Sequence, residues 1–319
     1  MVKFNPLTDV PPLGGKVAIV TGGNRGMGFQ LMQQLAIHGA KVYMAARSEG
    51  AAKEAIARIE SEMPEHGGKV LFLHLDLGTI KGADAAARRF LETESRLDIL
   101  IHNAALMSHN YARTADDLED SLAVNHLAPF AFTQVLLSLL VATPKIPQSD
   151  VRVSSSVHTL APRGGKFSTK EEINNTLSWS PLTTNSIFAR YARYGRSKLI
   201  LFAMELRTRF ASSSSSPALS IALHPGCVAT ETVLASMHAV PIIGPLMRFA
   251  VSRLAMSPLD GAATALFAAT PPVVRERAGE FAGAYLVPYG EIAGAGDGLH
   301  ARRLWEASEE LVREILRKP

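Results

Sequence analysis

Thr21-Gly22-Gly23-Asn24-Arg25-Gly26-Met27-Gly28 lies between two apolar runs of different period. Before it, Lys16–Val20 (K-V-A-I-V) is short and β-branched, as in a strand buried on both faces. After it, Phe29–Ala36 carries apolar residues at helical spacing. A glycine loop between strand and helix aims unpaired backbone N–H groups and the positive end of the helix at one point, which suits a phosphate. Gly22, Gly26 and Gly28 can take positive φ and admit a close neighbour. The spacing is G-x-x-x-G-x-G, and taken alone it also fits a turn that binds nothing.

Strand and helix patterns alternate along the rest of the chain. Strands are expected at Lys41–Ala46, Val70–Leu75, Leu97–Ile101, Val151–Ser154, Ala218–Leu223 and Ala284–Val287. Helices are expected over Glu49–Met63, Lys81–Glu94, Ala115–Val141, Arg190–Phe210, Leu259–Ala269 and Arg302–Arg317. This order predicts an α/β protein with a doubly wound parallel sheet of about seven strands and helices on both faces. Right-handed crossovers bring the C-terminal strand ends to one edge, where such sheets bind ligands. Thr21–Gly28, Arg47, Asp76, Asn103, Ser155 and Pro225-Gly226 each follow a strand, so the residues able to do chemistry converge on that edge.

The chain has 319 residues, 47% of them hydrophobic, enough for one large core without a second domain. A net charge of +4 is spread along the chain with no basic block, which argues against a nucleic-acid partner. Cys227 is the single cysteine, so an internal disulfide and a cysteine zinc site are excluded. No His, Cys or carboxylate cluster has metal-ligand spacing. Met1–Gly15 lacks the apolar core of a signal peptide. Val233–Ala255, the most apolar later stretch, is interrupted by Pro241, Pro245, His238, Arg248 and Arg253 and does not read as a spanning helix. A cytoplasmic protein is expected, with peripheral membrane association left open.

Arg47 closes the second strand in Tyr43-Met44-Ala45-Ala46-Arg47, a segment that contains no acid. A dinucleotide fold that prefers NAD sets a carboxylate there for the ribose 2′-hydroxyl, whereas an arginine can hold a 2′-phosphate. Arg25 could close on the same phosphate, and Ser48 could add a hydrogen bond. The sequence therefore points to NADP(H). Tyr194 and Lys198 lie four apart on an expected helix and share a face. An ammonium beside a phenol favours phenolate, lowers its pKa and suits the pair to acid–base work. Tyr191 is a rival phenol, but Gly195 stands where its lysine would be.

The T-G-x-x-x-G-x-G loop and Tyr194-Gly195-Arg196-Ser197-Lys198 together resemble the short-chain dehydrogenase/reductase superfamily. The resemblance runs over roughly Gly14 to Leu311 and includes the S-S-x-x-H step at Ser155 and His158. Those features, with G-A-x-T-x-L-F and Y-L-V-P in the last third, look like its retinol-dehydrogenase-like and WW-domain-oxidoreductase-like branch. The Tyr289–Gly298 stretch and the last helix resemble filamentous-fungal members. The resemblance implies a single Rossmann domain with its core over 14–223, substrate-loop insertions over 156–189 and 229–257, and a C-terminal helix over 299–317.

It also implies site residues. Gly22, Asn24, Arg25, Gly26, Met27 and Gly28 would contact the cofactor, with Arg47 at its phosphate. Asp76 and Leu77 match the step that meets the adenine, although Asp76 is equally suited to capping a helix. Asn103, in His102-Asn103-Ala104-Ala105, matches the N-N-A-G motif with two departures, His102 for Asn and Ala105 for Gly. Pro225, Gly226, Val228 and Thr230 match the segment bordering the nicotinamide. Ser155, Tyr194, Lys198 and Asn125 match the catalytic tetrad, in which Tyr194 and Lys198 also touch the cofactor and the asparagine kinks its helix and holds a relay water; Ser154 and Ser156 stay possible for the serine. His126 and His158 read as structural, and Cys227 as a small packing residue.

The implied function is NADP(H)-dependent hydride transfer between nicotinamide and a lipophilic carbonyl/alcohol pair, with Tyr194 as general acid/base. A homodimer through Ala115–Val141 and Arg190–Phe210 is expected from the family. NAD-linked alcohol oxidation and a catalytically silent nucleotide-binding regulator are the alternatives.

Overall fold

The computed structural model describes residues 4–65, 67–142, 149–153, 169–198, 218–230, 249, 253–293 and 298–318. Among the described residues the centre is one sheet of eight strands in the order β3-β2-β1-β4-β5-β6-β7-β8. They are β1 Val17–Thr21, β2 Lys41–Ala46, β3 Val70–His74, β4 Ile99–His102, β5 Ser149–Val153, β6 Leu219–Leu223, β7 Tyr285–Val287 and β8 Glu291–Ala293. The first seven run parallel, and β8 turns back antiparallel on β7. Strand β8 has no counterpart among the expected strands, because it is short and falls in the glycine-rich stretch after Tyr289.

The β1 side chains alternate between two cores. Ala18 and Val20 join Leu31, Met32 and Leu35 of α1 (Gly26–Ile37) and Ala262, Ala265 and Leu266 of the helix Pro258–Ala269. Val17 and Ile19 join Ile80, Ala83 and Phe90 of α3 (Ile80–Thr93) on the opposite face. Helix α2 (Glu49–Ser61), capped by Ser48, packs Ala52, Ala55 and Ile59 on the α1 side.

Helix α4 runs over Asp120–Ala142. By length and composition it could cross a membrane, yet Phe130, Phe132, Leu136 and Leu140 are buried in the second core. It begins five residues later than its composition suggests. Thr114 N–H donates to the Leu118 carbonyl (2.8 Å), Asp117 takes φ +57°, and the Glu119 carboxylate caps the first turn through the N–H groups of Ser121 (3.2 Å) and Leu122 (2.9 Å). Ala123–Leu127 is a widened π-helical turn. Pro129 lacks the N–H that an α-helix would direct at the carbonyl four residues earlier, so a regular turn is already compromised there.

The helix α5, Ile187–Ser197, begins three residues earlier than expected, with Ser186 as its cap (3.3 Å to Ala189 N–H). Lys198 is its C-cap, and residues 199–210, where the sequence predicts that the helix continues, lie outside the described residues. The C-terminal helix, Gly298–Arg317, buries Trp305 against Phe130, with ring centroids 4.8 Å apart.

Asp98, fully buried where β4 begins, ties two central strands together. It accepts from Val17 N–H (2.9 Å) and takes a two-point bond from Arg96 (2.9 and 2.7 Å), with Lys16 3.7 Å away. Breaking one partner of a buried charged set leaves the others uncompensated. Asp98→Asn is therefore expected to cost about 3 kcal/mol, read as a lower denaturant midpoint with an unchanged slope.

Candidate active site at the C-terminal sheet edge

The sheet order reverses between β1 and β4, and the glycine loop sits at that switch point. Gly22 (φ +67°) and Gly26 (φ +55°) occupy the left-handed region that glycine supplies at low cost. A Cβ on Gly22 would lie 3.1 Å from Ala104 Cα, and one on Gly28 only 2.2 Å from the Gly22 carbonyl oxygen. Asn103 stitches the crevice shut from the β4 side: its amide donates to the carbonyls of Thr21 (2.9 Å) and Gly22 (3.2 Å). Thr21 Oγ1 accepts from Ala104 N–H at 3.0 Å. The two departures from N-N-A-G leave the loop intact, and His102 Nε2 lies 2.9 Å from Thr133 Oγ1 on α4.

Arg25 is the N-cap residue of α1, which has no side-chain cap and no acid in its first turn. That end remains a donor surface suited to an anion. Asn24 lies in the loop and Met27, buried, in the first turn of α1. Arg47 is exposed just past β2. Ser48 Oγ accepts from Ala51 N–H (3.3 Å), which leaves its hydroxyl proton for another acceptor. Asp76 forms a local turn with Gly78 N–H (2.9 Å); Thr79, not Asp76, caps α3, and Leu77 is buried.

On the other flank, Pro225 and Gly226 (φ +94°) leave β6 toward Val228, which is buried and bridged to Met256. A Cβ on Gly26 would lie 3.5 Å from Thr230 Cγ2, so the glycine loop and the Thr230 segment face each other. Cys227 is exposed rather than packed, because the Val228–Met256 bridge turns its neighbour inward instead.

Asn125 lies in the widened turn of α4, and its side chain is committed to protein groups. Its Oδ1 accepts from Leu106 N–H (2.7 Å), and its Nδ2 donates to the Leu106 carbonyl (2.7 Å) and Ser197 Oγ (2.8 Å). Ser197 in turn donates to the Tyr194 carbonyl at 2.7 Å. The asparagine and the tyrosine helix are thus joined through one hydroxyl. His126, the next residue, is structural: its Nε2 lies 2.9 Å from Ser308 Oγ on the C-terminal helix.

The Lys198 ammonium lies 5.8 Å from the centroid of the Tyr194 ring. Burial pushes the Tyr194 phenol up to about 12, and Tyr191 adds to the rise. This reverses the lowering expected from Lys198: desolvation of the phenolate dominates in the protein alone. Ser155 and His158, with Ser154 and Ser156, lie outside the described residues. The described part of the 156–189 insertion carries Trp179, Leu182, Ile187 and Phe188, all exposed, with the Trp179 and Phe188 rings 6.3 Å apart. Sequence reasoning missed Glu119, Arg193 and Arg196, which are buried together behind Tyr194. The available signal was two arginines on the same stripe as Ala189, where a packed helix needs apolar residues.

The short chain dehydrogenase family profile matches residues 16–164. A short chain dehydrogenase/reductase (dpchH) of Colletotrichum higginsianum is 40% identical over 318 residues, covering 96% of this chain and 77% of that one. Dehydrogenase/reductase SDR family member 13 of Bos taurus is 33% identical, covering 98% and 77% respectively. The crystal structure of a short chain dehydrogenase from Shigella flexneri, complexed with NADP, superposes with a TM-score of 0.62 at 21% identity, covering 87% of this chain and 98% of that one. The chain belongs to the short-chain dehydrogenase/reductase family, and its chemistry is that of an oxidoreductase on a nucleotide-binding fold.

Proposed function

We propose that this protein is an NADP(H)-dependent reductase of lipophilic carbonyl compounds, with Tyr194 as the acid. The observation that carries the reading is the pairing of a β2 strand without acids, past which Arg47 stands exposed, with Tyr194 beside Lys198. The glycine loop fits a dinucleotide phosphate: a Cβ would fill the cradle at Gly22 and Gly28, and the first turn of α1 carries no competing acid. Gly22, Asn24, Arg25, Gly26, Met27 and Gly28 would hold the pyrophosphate side. Arg47 and Arg25 would hold the 2′-phosphate, and Asp76 and Leu77 the adenine. Asn103, Pro225, Gly226, Val228 and Thr230 would line the nicotinamide side. The structurally similar Shigella flexneri protein has NADP in its crystal structure, which agrees with this choice.

The reduced nicotinamide, when bound, supplies a hydride to the carbonyl carbon. Tyr194 gives its phenol proton to the carbonyl oxygen as negative charge develops there, and the Lys198 ammonium steadies the phenolate left behind. Ser155 would bond the same oxygen. Asn125 holds the Leu106 loop and Ser197 in place, so the backbone beneath Tyr194 does not shift as the proton moves. The exposed apolar side chains of the 177–188 segment suit a lipophilic substrate. A cytoplasmic setting, where NADP is kept reduced, suits the reductive direction.

The test is titration of the purified protein with NADPH and with NADH, following nicotinamide fluorescence. Tighter NADPH binding is expected, and Arg47→Ala should reduce the NADPH-over-NADH preference about 10- to 100-fold, the worth of a charge-assisted hydrogen bond. Tighter NADH binding would favour NAD-linked alcohol oxidation, and binding of neither would favour the regulator.

A further inference from the structure

The helix bearing Tyr194 has two distinct sides. At about 100° per residue, Ile187, Tyr191, Tyr194 and Lys198 fall on one side, and Ala189, Arg193 and Arg196 fall well around from it. The second side is buried, with Arg193 1% and Arg196 4% exposed. Between the two guanidinium groups stands Glu119, 0% exposed, with Oε1 3.7 Å from Arg193 Nε and Oε2 3.6 Å from Arg196 Nη2.

Those separations are too long for good hydrogen bonds, and the short ones run to backbone. Arg193 Nη1 donates to the carbonyls of Thr176 and Thr184, both at 2.8 Å. Arg196 donates to the carbonyls of Glu172 (3.0 Å) and Ile173 (2.7 Å). All four acceptors belong to the described part of the insertion before Tyr194. The Glu119 carboxylate meanwhile caps α4, the helix of Asn125. Asn174 closes the ring: its Oδ1 accepts from Glu119 N–H (2.7 Å) and its Nδ2 donates to the Asp117 carbonyl (2.9 Å).

We propose that Glu119, Arg193 and Arg196 form a rotational lock, which sets the angle at which helix α5 presents Tyr194 and Lys198 and pins the 169–186 segment to that helix. They are positioning residues, and their role rests on the assignment of Tyr194 above. A buried ionic hub is a poor source of stability, because desolvation offsets the attraction. Burial pushes the Glu119 carboxyl up and both guanidinium groups down, with the opposite charges resisting each shift. What the hub offers over an apolar contact is direction: planar forks aimed at fixed carbonyls allow one rotation of the helix, whereas an apolar face could slide.

The test counts phenols and needs no substrate. In the locked protein the half-buried Tyr194 phenol is pushed up by desolvation and should stay largely protonated at about pH 11, where an ordinary tyrosine ionises. Stopped-flow jumps to that pH, read as tyrosinate absorbance before unfolding, compare wild type with Arg196→Lys, which keeps the charge and loses the fork. The lysine variant is expected to gain one prompt tyrosinate that the added change Tyr194→Phe removes, with NADPH fluorescence titration unaltered. Glu119→Gln, which keeps the volume and one capping oxygen, serves where Arg196→Lys does not fold. Variants that melt at lower temperature yet gain no prompt tyrosinate would reduce the hub to a stabilising element and overturn the proposal. Persistent turnover by Tyr194→Phe would instead refute the catalytic assignment and leave the phenol count standing.

Discussion

Tyr194→Phe is expected to lower carbonyl reduction about a thousandfold while leaving the fold and NADPH binding in place. The phenol is pushed up to about 12, so it is almost wholly protonated at neutral pH and available as a proton donor. Phenylalanine removes that proton and little else, since no hydrogen bond of the described residues that holds the helix passes through the phenol oxygen: the lock is made by Arg193, Arg196 and Ser197. The loss should therefore fall on kcat rather than on nucleotide affinity, and single-turnover oxidation of bound NADPH, set beside the fluorescence titration, separates the two. A variant that keeps its turnover would remove Tyr194 from the mechanism.

Much of this centre is legible in the amino-acid order. The period changes around Thr21–Gly28 because a strand and a helix bury different faces, and that change is written in Lys16–Val20 and Phe29–Ala36. Tyr194 and Lys198 are legible as neighbours because helical spacing is local. The Glu119 hub is not, since it joins residues more than seventy positions apart and no local rule pairs a turn carboxylate with a distant helix. The sign of the Tyr194 shift is equally hidden: four-residue spacing announces the ammonium, but desolvation depends on what the whole fold packs around the ring. The start of α4 departs from its composition for a related reason. Ala115–Glu119 has helical composition, and the Asp117 and Glu119 contacts that override it are tertiary.

Gly28→Ala is expected to abolish measurable NADPH binding and to destabilise the protein by about 3 kcal/mol or more. The added Cβ would meet the Gly22 carbonyl oxygen at 2.2 Å and Asn103 Nδ2 at 2.5 Å. Neither can step aside: the oxygen belongs to the turn at the end of β1, and the amide is held on Thr21 and Gly22. Opening that contact moves the loop and the first turn of α1 apart, which are the two parts that must converge on a phosphate. Gly23→Ala is the control, because its Cβ would press on the flexible side chains of Met32 (2.7 Å) and Met44 (3.1 Å). Thermal melting and NADPH titration of the pair should show a much larger loss at Gly28. Equal effects would mean that the close approach of Gly28 to Gly22 is not what the loop depends on.

Trp305 against Phe130 and Ser308 against His126 place the last long helix directly beneath the turn that holds Asn125. During synthesis, strand β1 and helix α1 gain their last core partner once the helix Pro258–Ala269 has emerged. The Asn125 turn is different: its underside stays uncovered until residue 308 has emerged, nearly two hundred residues after Asn125 itself. The turn that holds Asn125 is thus the last part of this sheet edge to be covered as the chain is made.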